Sequence, residues 1–211
     1  MVKRTQEQAA ETRQAVLRAA RHLFAEQGYA ATSLNAIAAR AGVSKGALFH
    51  HFTSKEDLFL VIWRDLQMEM DAEARAAALA ARDRKDPFAA FLAGSRVYLD
   101  WAARPEYQRI VLADGPSVLG PARWHELEFD LGRRTLVPGT EFMASKGLFP
   151  PHMAVPAALM LQAALNAAAY ALTQGQAWHL PRAISRNLRA PVARHGPRPE
   201  RCPAVKSWNR L

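Results

Sequence analysis

The segment from Thr32 to Lys55 restricts this chain more than any other. Ser33 is suited to cap a helix that carries Leu34, Ile37, Ala38 and Ala41 on one face. Gly42 can take the left-handed conformation that stops that helix and turns the chain. Ser44 then caps a second short helix, with Leu48 and Phe52 pointing inward at i, i+4 spacing. Two short helices across a tight turn form a helix-turn-helix, whose second helix is built to enter the DNA major groove.

The rest of the chain reads as helical, with no strand-like alternation between hairpin turns. A first helix is expected from about Gln6 to Gln27, with Val16, Leu17, Ala20, Leu23 and Phe24 at helical spacing and Gly28 closing it. Ser54 to Asp57 is a capping-box variant opening a fourth helix. That helix presents Leu58, Phe59, Ile62, Trp63, Leu66 and Met70 on one face and runs to about Ala81. Pro87 opens a fifth helix, with Phe88, Phe91, Leu92, Ser95 and Leu99 inward. Pro105 opens a short sixth, ending near Asp114 to Pro116 and followed by a loop to Gly120. A seventh starts at Pro121, should kink or break at Pro138 and ends at Gly147. An eighth begins near Pro156, with Leu161, Leu165, Ala168 and Leu172 on one side.

Charge and composition narrow the function. The chain has 211 residues, enough for one domain or two small ones with a real core. Its net charge is +9, and residues 1–55 hold eight basic groups against three acidic ones. Basic surface beside a groove-reading helix favours a polyanion partner. The first residues show no apolar signal region, so a cytoplasmic location is expected. Cys202 is the only cysteine, which excludes an internal disulfide. Val155 to Leu172 is apolar but contains Pro156, Gln162 and Asn166; it reads as a buried helix and not a membrane span.

Residues 181–211 differ from everything before them. They hold eight basic groups, one acidic group and five prolines, and read as a disordered basic tail. Either a change of reading frame after about Trp178 or a genuine basic arm with nonspecific phosphate contacts would explain the shift.

The chain resembles the TetR/AcrR family of bacterial transcriptional regulators. The residues that carry the resemblance lie between about 12 and 60: Ala19-Ala20, Phe24, Gly28-Tyr29, Thr32-Ser33, Ile37-Ala38, Ala41 through Gly46, Leu48, His51-Phe52 and Ser54-Lys55-Glu56. Beyond them only the helical layout is similar. The resemblance implies an all-α fold: a three-helix helix-turn-helix head over residues 1–55, joined by a long helix to a helical ligand-binding and dimerisation domain over 56–180, with the tail at 181–211. It also implies a homodimer on a palindromic double-stranded DNA operator, most often a repressor released by a small molecule. No cofactor, metal or membrane partner is expected. The competing reading is a constitutive DNA-binding protein without an effector, impaired in dimerisation by its unusual C-terminus.

Within the head, Lys45 and Lys55 are the expected cationic phosphate contacts. Ser33 and Ser44 sit at helix N-termini, where amides and hydroxyls suit phosphate oxygens, though capping alone would also explain them; Thr32 completes that group. Gly46 and Ala47 are small enough for close approach to the groove, and Ala47 can touch a thymine methyl. His50 is placed to read a base edge or phosphate, while His51 packs the head. Phe49 departs from the family's usual tyrosine; it keeps the ring and loses a hydroxyl that reaches phosphate, a loss of about 1 kcal/mol.

In the regulatory domain, Phe91, Tyr98, Trp101, Trp124, Phe129 and Tyr170 are candidates to line an apolar ligand pocket, with His125, Gln162 or Asn166 as polar anchors. Core packing is the competing reading of each. Asp100, Asp114, Glu126 and Glu128 could pair with a cationic ligand, but surface solvation is the better reading of each. Enzymatic function is not expected: there is no nucleophile elbow, phosphate-cradling loop or dinucleotide fingerprint, and the seven histidines show no metal-ligand spacing.

Overall fold

The computed structural model describes residues 2–83 and 85–174, which hold helices and turns with no strand. The tail at 181–211 lies outside the described residues.

Helix α1 spans Val2–Ala31, but Gly28 inside it has φ 82° and ψ 168°, so the regular helix ends at Gln27 as expected. Only glycine tolerates that backbone. A side chain there would also meet the Arg109 guanidinium. Thr32 closes the turn by donating its hydroxyl to the Gly28 carbonyl at 2.8 Å.

Helix α2 (Leu34–Ala41) starts where Ser33 Oγ accepts from the Ala36 amide at 3.1 Å. It stops at Gly42, with φ 69° and ψ 28°. The Gly42 amide bonds Ala39 O at 3.2 Å and the Val43 amide bonds Ala38 O at 3.0 Å, the paired bonds of a Schellman stop. Helix α3 (Lys45–His51) is capped by Ser44, whose Oγ accepts from the Ala47 amide at 3.1 Å. Each serine cap contributes about 1 kcal/mol.

Helix α4 (Lys55–Ala80) is capped by Ser54, whose Oγ accepts from the Asp57 amide at 3.0 Å. Asp57 reaches back to the Thr53 amide at 3.1 Å, one residue further than a standard capping box. The inner faces of α1 to α4 bury Val16, Ala20, Phe24, Ile37, Leu48, Leu58 and Phe59 completely. Phe24 and Tyr29 both pack against the Phe59 ring, at centroid distances of 5.5 and 5.2 Å. This core continues without a break through Trp63, Leu66 and Met70 of α4 to Trp101, Tyr107, Ile110 and Leu119.

The remaining helices are α5 (Ala89–Ala102), α6 (Pro105–Tyr107), a π-helical segment (Gln108–Asp114), α7 (Gly115–Leu119), α8 (Pro121–Ser145), a 3₁₀ turn (Pro151–Met153) and α9 (Ala154–Thr173). Three expectations need correction. The loop expected before Gly120 is helical: the chain widens into π turns at 108–114 and continues to Leu119. Of the kink or break expected at Pro138, the break does not occur, because helix α8 runs on to Ser145. A proline there removes one backbone bond, to the Arg134 carbonyl, from a long helix that packs along α9. Finally, α9 is not a buried helix. Only Ala154, Ala158, Ala168 and Ala169 are buried on it, and Pro151–Thr173 is long and apolar enough to cross a membrane by length and composition.

Candidate nucleic-acid interface and internal cavity

The helix-turn-helix presents one polar, basic face. On α3, Leu48 is fully buried, while Lys45, Gly46, Phe49 and His50 are exposed. Phe49 stands 43% exposed. The Lys45 ammonium lies 5.8 Å from its centroid. Around Gly46 the nearest atom to an added Cβ would be Ser44 Oγ at 3.9 Å. The fold therefore does not require glycine there, and the open space faces outward. Ala47 is half-buried, and Ser33 and Ser44 are exposed at their caps. His51 is half-buried, with its ring 6.5 Å from Phe52.

Two members of the expected contact set are turned inward. Thr32 is buried, and its hydroxyl is committed to Gly28 O and to the Gln27 side-chain amide. Lys55 donates to Tyr29 O and Thr32 O, both at 2.9 Å, and its ammonium sits 4.1 Å from the Tyr29 ring centroid. The Tyr29 carbonyl also accepts from the Thr32 amide at 3.2 Å, and Lys55 at the start of α4 adds a charged donor to this turn. Its charge ties α4 to that turn.

A second feature lies among α4, α5, α8 and α9: a cavity of about 380 Å³. That volume suits a small organic molecule. Its walls are largely apolar, with Met70, Ala74, Phe91, Leu131, Met143 and Leu165 among them. Of the expected pocket residues, Phe91, Tyr98, Gln162 and Asn166 line it. Trp101 does not: it packs edge-on against Tyr107 and donates its indole N–H to Glu73 at 2.6 Å. Trp124 packs against Gly115 near Trp63. His125 and Tyr170 are exposed, and Phe129 lies half-buried with Arg133 over its ring.

Glu128 does line the cavity, and it is buried, which corrects its reading as a solvated surface group. Within two turns of it on α8, Trp124, Leu131, Gly132 and Thr135 share its face. One Glu128 oxygen accepts from the Gln67 side-chain amide, and the other from Asn166 Nδ2 at 3.4 Å. Each amide is oriented in turn by a tyrosine: Tyr107 donates to Gln67 Oε1, and Tyr98 donates to Asn166 Oδ1 at 2.9 Å. Burial pushes the Glu128 carboxyl up to about 7, against the opposing effect of its two amide donors. Burial likewise raises the Tyr98 and Tyr107 hydroxyls above their ordinary value, so both remain donors. Among the described residues Glu128 makes no ion pair.

An outward-facing recognition helix, joined through one long helix to a body that holds a partly open cavity, is the architecture of a helix-turn-helix regulator. The family model for bacterial regulatory proteins of the tetR family matches residues 16–62, and that for the tetracyclin repressor-like C-terminal domain matches residues 88–186. A solved TetR-family transcriptional regulator from Pectobacterium atrosepticum superposes with a TM-score of 0.66 at 31% identity, over 81% of this chain and 86% of that one. The chain belongs to the TetR family of transcriptional regulators, which are not enzymes. It is also 42% identical over 80 residues to the HTH-type transcriptional regulator AcrR of Shigella flexneri, covering 35% of this chain and 37% of that protein. Against the HTH-type transcriptional repressor BepR of Brucella suis it is 47% identical over 58 residues, 28% of each chain. These matches thus span well under half the length of the curated relatives.

Proposed function

We propose that the protein is a transcriptional repressor that binds a palindromic operator as a homodimer and is released by a small molecule held in the cavity. The observation that carries this reading is the outward face of α3, where Lys45, Gly46, Phe49 and His50 are exposed on a helix anchored by a buried Leu48. Lysine at the helix start meets phosphate, and the exposed ring and imidazole meet the groove. The name of the Brucella relative, a repressor, supports the direction of control.

Homodimerisation is supported by α9. Its exposed residues Pro156, Met160, Ala163, Ala164, Ala167 and Tyr170 recur at helical spacing and form a stripe of small and apolar groups. A second copy would cover that stripe. Two α3 helices would then enter successive major grooves about 34–36 Å apart. Release is supported by α4, which contributes Gln67, Met70 and Ala74 to the cavity and Leu58 and Phe59 to the core under α3. A ligand that fits one position of α4 better than another would shift the DNA-binding equilibrium by that difference in affinity.

The test is selection of duplexes from a random pool by the full chain, followed by sedimentation of the complex. Recovery of a palindrome with two chains per duplex is the expected result. A monomer that recovers no palindrome would overturn the proposal.

A further inference from the structure

We propose that the cavity recognises an apolar molecule bearing a protonated amine, and that the Glu128 carboxylate is the counter-ion for that amine. The inference rests on reading the cavity as the effector site.

Five side chains make the case. In the sequence Tyr107, Gln67, Glu128, Asn166, Tyr98, every hydrogen bond runs toward the carboxylate. Each tyrosine hydroxyl occupies an amide oxygen, which leaves the amide N–H groups to face Glu128. The arrangement holds the carboxylate as an acceptor on both oxygens and supplies only neutral donors. A buried carboxylate of this kind is costly unless a positive charge joins it, and none of the described residues provides one. Each oxygen retains acceptor capacity beyond its single amide donor.

A second polar group in the same cavity is also unfilled. Ser95 is buried, and its hydroxyl has no hydrogen-bond partner. An ammonium has several N–H groups, so it can serve the carboxylate and further acceptors of the lining. The apolar walls then bury the rest of the molecule.

The other charges lining the cavity do not oppose a cation. Asp71 is held by Arg75 at 2.8 Å and by the Thr135 hydroxyl, which closes that pair on itself. Arg82 and Arg134 are exposed, where water and salt screen them.

The experiment uses the full chain and three probes of the same shape: phenylbutylamine, phenylbutanol and phenylbutyrate. Binding is followed by calorimetry at about pH 8, above the value of about 7 to which burial raises Glu128. The amine is expected to bind at least about tenfold more tightly than the alcohol, with the carboxylate weakest. E128Q is expected to abolish that preference while still binding the alcohol. Equal binding of amine and alcohol by the unaltered protein overturns this inference and leaves the effector cavity standing. So does a preference that survives in E128Q. Failure of all three probes to bind overturns both. The comparison within the unaltered protein needs no variant, so it decides the matter even if E128Q folds poorly.

Discussion

The backbone amide of Tyr29 donates to the Asp114 carboxylate at 2.8 Å, so the residue after the break in α1 is tied to the end of the π-helical segment. Arg109 reinforces the joint, reaching Gln27 O at 3.2 Å and approaching Asp114 at 3.9 Å. Its guanidinium occupies the space that a side chain at Gly28 would need. The helix-turn-helix and the body are therefore joined by specific polar contacts as well as by the shared core. Asp114→Ala would leave the half-buried Tyr29 amide without its partner. We expect a loss of about 1–2 kcal/mol, read as a lower urea midpoint at unchanged slope. An unaltered midpoint would mean the contact contributes nothing.

Lys45 and Lys55 separate two roles that a basic residue in such a head can play. Lys45 is exposed on α3, whereas Lys55 is committed to two carbonyls and the Tyr29 ring. Lys45→Ala is expected to reduce the slope of log K against log salt for operator binding by about one, with stability unchanged. Lys55→Met is expected to destabilise the fold by about 2 kcal/mol. Thermal melts and salt titrations of both variants would show the opposite pattern if Lys55 were the phosphate contact.

Phe49 is 43% exposed on the outward face of α3. Phe49→Tyr is expected to tighten operator binding by about 1 kcal/mol, roughly fivefold, through one new bond to phosphate. Its melting temperature should not move. Tighter binding to a nonspecific duplex by the same factor is also expected, because a phosphate contact carries no base information. A gain confined to the operator would instead place the new hydroxyl on a base edge.

The helix-turn-helix was readable because its determinants are local. Ser33, Gly42, Ser44 and Ser54 each act within four residues of themselves, and each adopts the capping geometry its position implies. The cavity was only partly readable because it depends on where distant helices meet. Tyr98 and Asn166 were in the expected set and bond each other directly, yet the acceptor their bonds lead to is Glu128, on a third helix. Large aromatic residues misled in the same way: Trp101 satisfies Glu73 and packs on Tyr107, a contact set by the approach of α6 to α5. A lysine beside a recognition helix invites phosphate, and only the fold shows that Lys55 also donates to two carbonyls of the α1–α2 turn. The apolar length of α9 likewise does not say which face the body covers.

Glu128 also predicts a pH dependence of stability with an unusual sign. Its carboxyl is pushed from an ordinary 4.5 up to about 7 in the folded chain, chiefly by burial. Between those values the folded state holds a proton that the unfolded state has released. Stability from this group is therefore present in full below about pH 4.5 and is lost as pH rises to about 7, by on the order of 3 kcal/mol. Carboxylates stabilised by ion pairs act in the opposite direction, so the comparison must isolate one residue. Glu128→Gln cannot ionise, and its stability relative to the unaltered protein should increase from pH 5 to pH 8 by up to that amount. Urea unfolding of both proteins across this range measures the difference directly. A difference that stays flat with pH would mean that the carboxyl titrates near its ordinary value and is better solvated than its position among Gln67, Asn166 and the two tyrosines implies.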